Sequence, residues 1–153
     1  MLGHLAAGVT IVTSRDADAR PSGLTATAVC SVSLDPPLVL VCVDANANTL
    51  KVVRESRVYA LNFLAAGARE LADRFASAAS DKFDGVAFEA GETGSPRLAS
   101  AIAWCECLLE EEIAQGDHVI LVGRVLEAGL GDGDTEPLLH FRGRYRTLAR
   151  PEA

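Results

Sequence analysis

Along "GVTIVTS" (8–14) apolar and polar residues alternate. Successive side chains of a strand point to opposite faces, so this pattern predicts a half-buried β-strand. The polar run "RDADARPSG" after it reads as the turn of a hairpin. The partner strand is the stretch "SGLTATAVCSVSL". At period two, Leu24, Ala26, Ala28, Cys30, Val32 and Leu34 fall on one side, and Thr25, Thr27, Val29, Ser31 and Ser33 on the other. The apolar side is the expected core face. "DPP" then breaks the ladder, because proline has no N–H to donate. "LVLVCVD" (38–44) follows as a strand apolar enough to be buried on both sides.

Beyond that strand, "ANANTLKVVRES" has the marks of a helix N-terminus, with Asn48 or Thr49 as the cap and Leu50 and Val53 on the inner side. "RVYALNFLA" (57–65) alternates again as a strand. "GARELADRFASAAS" repeats Leu71, Ala72, Phe75 and Ala76 at helical spacing and predicts an amphipathic helix. "DKFDGVAFEAGETGSPRLASA" is broken by Gly, Pro and acidic residues and reads as a surface loop. The clearest hairpin joins "IAWCECLLEEEI" to "HVILVGRVLEAG" through the turn "AQGD". "LGDGDTEP" is a loop and "LLHFRGRYRTL" a short last strand or its approach. Strands outnumber helices and follow one another closely. The pattern therefore predicts one mainly β domain over 1–153, an antiparallel barrel or sandwich with a few helices at its edges.

Composition changes the picture in two ways. Hydrophobic residues are 49% of the chain but aromatics only 5%, so aliphatic side chains must fill the core. A net charge of -7, with no run of Lys or Arg to neutralise phosphates, makes nucleic acid and anionic membrane poor partners, so neither is expected, and favours a small substrate. The opening "MLGHLAAGVTIVTS" lacks the basic start and cleavage signal of an exported protein, and no uncharged run is long enough to span a bilayer. A cytoplasmic location is the expectation. Cys30, Cys42, Cys105 and Cys107 sit in apolar stretches without zinc-site spacing and read as reduced, buried thiols, with no metal site.

Candidate chemistry starts with the hydroxyl-bearing side of the second strand. A face turned to water normally carries Lys, Glu or Arg, whereas this one carries Thr25, Thr27, Ser31 and Ser33. Small hydroxyls and nearby amides suit a flat, polar, uncharged ligand; packing beneath a helix or a subunit is the equal alternative. Asn48 and Thr49, at a helix start, offer an anion free amides and the positive end of the dipole, or else form a plain cap. Lys82, one of two lysines, either completes a phosphate site or is a solvated charge. Asp117 and His118 lie at a hairpin turn, as a proton relay or as ordinary turn residues. Neither G-x-G-x-x-G nor G-x-x-x-x-G-K is present, so a bound nucleotide would need another scaffold.

Taken together, "GVTIVTS", "GLTATAVCSVSLDPPLVLVCVD", "ANT" (47–49), "SRVYALNFLA", "LADRFA" with "DKFDG", "GDHVILVGRV" and "PLLHFRGRYRTL" resemble the flavin reductase family of FMN-binding split β-barrels. The resemblance covers nearly the whole chain. It implies a six-stranded antiparallel Greek-key split barrel with peripheral helices, a homodimer with flavin near the subunit interface, and NAD(P)H-dependent reduction of FMN or FAD. A flavin-dependent monooxygenase would be the partner supplied with reduced flavin. The resemblance further implies that Thr25, Ala26 and Thr27, with Ser31 nearby, lie along the isoalloxazine. It puts Asp44, Asn48 and Thr49 near the ribityl chain and phosphate, Lys82 and Phe83 over the phosphate end, and His118, the candidate catalytic residue, with Tyr145 on the nicotinamide side. Family members usually carry a further stretch of helix before the segment matching "LGHLAAGV", so either a shortened domain or a weaker N-terminal contact with the dimer mate is expected.

Overall fold

The structure, a computed structural model, describes residues 1–131 and 135–148. The reading of residues 132–134 as loop falls outside the described residues. After a 3-10 turn (Leu2–His4) and a two-residue strand β1 (Ala7–Gly8), β2 (Thr10–Arg15) and β3 (Pro21–Ala26) form the first hairpin, paired from Thr10↔Ala26 to Arg15↔Pro21. Its turn is held by Asp16 Oδ1, which accepts hydrogen bonds from the amides of Asp18 and Arg20 at 2.9 and 2.8 Å, the side-chain mimicry of a turn that Asp favours.

"GLTATAVCSVSL" is not one strand. Pairing in β3 ends at Ala26, and after Thr27 and Ala28 the chain resumes as β4 (Val29–Leu34). Beyond the break the period-two assignment fails: Val32 is 49% and Leu34 94% exposed, and Cys30 is exposed rather than buried. An unbroken run of small and apolar residues carries no mark of a crossing from one sheet edge to the other.

The chain then forms β5 (Pro37–Asp44), entered by a cis Asp35–Pro36 bond, and continues through α1 (Asn48–Ser56), β6 (Val58–Leu64) and α2 (Arg69–Ala76). After α2 come β7 (Phe88–Ala90), β8 (Pro96–Leu98), β9 (Ala101–Gln115), β10 (His118–Leu130), β11 (Leu139–Phe141) and β12 (Arg144–Arg146). The main antiparallel sheet runs β3-β2-β6-β9-β10-β5-β4, with smaller sheets β1-β11-β12 and β7-β8. Mainly β architecture with two edge helices is as the alternation predicts. The six strands implied by the family resemblance are seven in this sheet, and it does not close, since β3 and β4 are its two edges. The sheet does curl enough to bring β3 beside β5.

That curl creates two cores. Inside it pack Val12, Val41, Leu61, Cys107 and Leu121; on the other side, beneath α2, pack Ile11, Leu64, Phe75, Leu98 and Leu138. Ile11 and Val12 point opposite ways and are both fully buried, which is why β2 holds so few charges. Cys105 and Cys107 share one buried side of β9 with sulfurs 3.9 Å apart, while Cys42 is half-buried.

The segment read as a surface loop after α2 contains the β7–β8 hairpin, fastened by polar side chains distant in sequence. Glu106 is fully buried and accepts hydrogen bonds from Glu92 N at 2.8 Å and Thr93 Oγ1 at 2.9 Å. Asn62 Oδ1 accepts from Leu98 N at 2.8 Å, and Thr13 Oγ1 donates to Pro96 O at 2.6 Å. The last segment is a pair of short strands, β11 and β12, around a turn at Arg142 and Gly143. No helix among the described residues is long and apolar enough to cross a membrane.

Candidate functional site

Where the curled sheet brings β3 to β5, a cavity of about 760 Å³ opens, well within the range of small-molecule and cofactor sites. Its floor is β3 with Thr27 and Ala28; the start of α1 and the segment that follows α2 both reach that floor at Ser22 and Gly23; His118 stands at the mouth. The floor is low because its side chains are small. At Gly23 an added Cβ would lie 2.6 Å from the Phe75 ring, so the missing side chain lets α2 settle against the strand.

Thr25 Oγ1 donates to Ala72 O in α2 at 2.7 Å. Its hydroxyl thus serves the packing of a helix, one of the two alternatives left open by the sequence, and its backbone is what remains for a ligand. Thr27 is exposed at the end of the strand. The cap of α1 is neither Asn48 nor Thr49 but Ala47, which has no side-chain acceptor. The first turn of the nine-residue helix is therefore uncapped at the cavity, and its amides and dipole favour an anion there. Thr49 is 3% exposed, its hydroxyl 2.9 Å from Ser22 Oγ. Asp44 Oδ1 accepts from Asn46 N at 2.7 Å and so shapes the turn into α1.

At the same end of β3, next to Ser22, Lys82 Nζ donates to Phe75 O at 3.0 Å and Gly23 O at 3.2 Å. An ammonium has three N–H groups, so one is left for a ligand. Burial lowers the pKa of this lysine from its usual range. Phe83, beside it, meets the Phe75 ring edge to face with centroids 4.9 Å apart. At the mouth, His118 pairs in register with Asp44 of β5 and its Nδ1 lies 2.7 Å from Asp117 Oδ1. That hydrogen bond, with the charge of His118, holds the Asp117 carboxyl below its usual pKa.

Thr25, Ala26, Thr27, Asp44, Asn48, Thr49, Lys82, Phe83 and His118 all line this one cavity. Ser31 and Tyr145 do not. Ser31 is exposed on β4 opposite Val39. Tyr145 is half-buried against the core beneath α2, where the Arg69 guanidinium stands 5.7 Å from its ring centre and burial raises its pKa. The cavity also draws on residues the sequence reading passed over: Ser22, Asn46, Ser77 and Ser80. For Ser77 and Ser80 the signal was the small, hydroxyl-bearing run "ASAAS", which helical spacing draws into the helix although α2 ends at Ala76. Among the described lining residues Lys82 is the single Lys or Arg and Asp44 the single carboxylate. The long neutral wall between them fits a flat uncharged ring system with an anionic tail.

Comparison with known proteins points to the same chemistry. Residues 2–149 match the family described as "Flavin reductase like domain". A flavin reductase (NADH) of Kitasatospora aureofaciens is 37% identical over 147 residues, covering 95% of this chain and 77% of its own length. The reductase component of a 4-nitrophenol 4-monooxygenase/4-nitrocatechol 2-monooxygenase from Rhodococcus opacus is 40% identical over 145 residues, covering 95% of this chain and 76% of its own. Among solved structures, a Streptomyces globisporus NADH:FAD oxidoreductase in complex with NAD and FAD fragments superposes with a TM-score of 0.92 at 36% identity, covering 99% of this chain and 91% of its own. With a family match over almost its full length and relatives of this similarity, the chain belongs to the flavin reductase family.

Proposed function

We propose that this protein uses NADH to reduce FMN or FAD and hands the reduced flavin to a partner oxygenase. The observation that carries the reading is a cavity whose neutral, small-residue floor ends where an uncapped helix start and Lys82 converge, at Ser22 and Gly23. The relatives' names support it: two specify NADH and one is the reductase component of a monooxygenase. We read the curled, open sheet as the split barrel of the family, and residues 1–153 as one such domain.

When bound, the flavin supplies the two-electron acceptor, a capacity no side chain has. The chain's task is binding and exposure. The backbone of Thr25, Ala26 and Thr27 offers hydrogen-bonding groups along the ring system, where extra negative charge on reduction is best met by fixed amides. The α1 start, with Thr49 and Ser22, and the free N–H of Lys82 would hold the phosphate. His118, held by Asp117, stands where a pyridine nucleotide enters and orients it. Asp44 and Asp117 flank His118, and two carboxylates disfavour the extra phosphate of NADPH. Ser31 and Tyr145 have a place in this site only as groups presented by a second subunit. The half-buried Leu40, Cys42, Ile120 and Val122 on the outer side of β5 and β10 continue into the cavity rim and suit such a homodimer contact.

The test is an anaerobic assay crossing FMN and FAD with NADH and NADPH. The expected result is bleaching of the flavin absorbance, with kcat/KM higher for NADH than for NADPH. Flavin binding without turnover would make the protein a carrier, and neither binding nor bleaching would end the proposal.

A further inference from the structure

Two of the three phenylalanines in a chain of edge-to-face rings line the cavity, and the third does not. Phe75 and Phe83 are the lining pair. Behind Phe83, Phe88 meets it edge to face with centroids 5.4 Å apart. Phe88 opens β7 opposite Leu98 of β8, and Leu98 is buried with Phe75 beneath α2. Phe88 remains 40% exposed, so burial alone is a weak reason for an aromatic residue there. Its specific contact is with Phe83.

The hairpin that carries Phe88 is firmly placed. Buried Glu106 holds the amide of Glu92 and the hydroxyl of Thr93, and Asn62 holds the amide of Leu98. From this base, Phe88 bears on Phe83, and Phe83 is bonded to Lys82. Adjacent Cα atoms are fixed about 3.8 Å apart, so where Phe83 sits decides where the lysine leaves the chain. Lys82 then spends two N–H groups on the carbonyls of Phe75 and Gly23.

We infer that Phe88 is a positioning residue for flavin binding: through the ring of Phe83, the β7–β8 hairpin sets the Lys82 ammonium at the anion end of the cavity. This rests on the reading of the cavity as the flavin site. Phe88 touches no ligand and contributes nothing to electron transfer. Its effect is on flavin affinity, through Lys82.

Fluorescence titration of FMN and FAD against Phe88→Ala tests this. The expected dissociation constant rises roughly tenfold, the scale of one aromatic pair contact. kcat at saturating flavin and KM for NADH stay near the wild-type values, and Phe88→Tyr, which keeps the ring edge, restores affinity. In a double-mutant cycle, Phe88→Ala made on top of Lys82→Met has little further effect, because the group it positions is already gone. Full additivity in that cycle, or unchanged flavin affinity in Phe88→Ala, overturns the inference. Should Phe88→Ala fail to fold, Phe88→Leu keeps apolar bulk without the aromatic edge and enters the same cycle. A wild-type protein that neither binds nor reduces flavin defeats the reading of the site itself; a Phe88→Ala variant that binds flavin as tightly as a competent wild type defeats only the role of Phe88.

Discussion

Two threonines two positions apart on the same stretch have different work, and the difference is measurable. The Thr25 hydroxyl is spent on Ala72 O, whereas Thr27 is exposed at the cavity. Thr25→Val removes a hydrogen bond between β3 and α2 and is expected to cost about 1 kcal/mol of stability in urea unfolding, with a small effect on flavin affinity. Thr27→Ala is expected to do the reverse. If both variants lose stability and keep affinity, the hydroxyl side of the stretch serves packing alone. Lys82 adds a dependence on pH. Its pKa is lowered by burial, so between that value and the usual lysine range the unfolded chain holds more protons than the folded one, and stability rises as pH climbs through the window. Flavin affinity moves the opposite way: it is level while the ammonium is charged and falls as pH rises through the lowered pKa, since the phosphate loses its cation. Titrating flavin across alkaline pH should show this fall in wild type and a flatter profile in Lys82→Met.

Among the elements, those built on local alternation were legible and those built on distant contacts were not. The β2–β3 and β9–β10 hairpins follow from period-two patterns flanking turn residues, with Gly116 at φ 64° in the second turn. The helix α1 was legible, but its start and cap lie a residue or two earlier than expected, because Asn48 and Thr49 fit a cap better than Ala47 does and only the folded turn at Asp44 shows otherwise. The crossing from β3 to β4 has no signal, since Thr27 and Ala28 differ little from their neighbours. Of the site, Thr49, Lys82 and His118 were legible from residue type and motif, while the use of Thr25 depends on a carbonyl 47 positions away. The β7–β8 hairpin is the extreme case. Its strands of three residues carry little propensity, and its fastening lies in Glu106 and Asn62. Glu106→Ala removes the acceptor of the Glu92 amide and the Thr93 hydroxyl, both in part-buried hydrogen bonds, and is expected to cost roughly 1–3 kcal/mol. Hydrogen exchange should locate the loss in residues 88–98; uniform loosening of the whole domain would show that Glu106 is not a local fastening.

At the level of the whole molecule, the curled sheet leaves its outer side unevenly covered. On β5 and β10, Val41, Val43, Val119 and Leu121 are buried inside, so by alternation their neighbours Leu40, Cys42, Ile120 and Val122 stand outside, paired as Ile120↔Cys42 and Val122↔Leu40. Val32 and Leu34 add exposed apolar surface on the edge strand β4. The same outer row continues into Asp44 and His118, which line the cavity. A second copy seated on this face would cover apolar area and wall the open side of the cavity in one step, so association and flavin binding should be coupled. Ile120→Asp places an unpaired charge in the middle of that row without entering the cavity or the core. In sedimentation velocity the wild type is expected as a dimer and Ile120→Asp as a monomer, with flavin affinity lower by roughly tenfold, about 1.4 kcal/mol of lost coupling. A wild-type monomer, or a monomeric Ile120→Asp that binds flavin as tightly as the wild type, would mean that each subunit completes its own site.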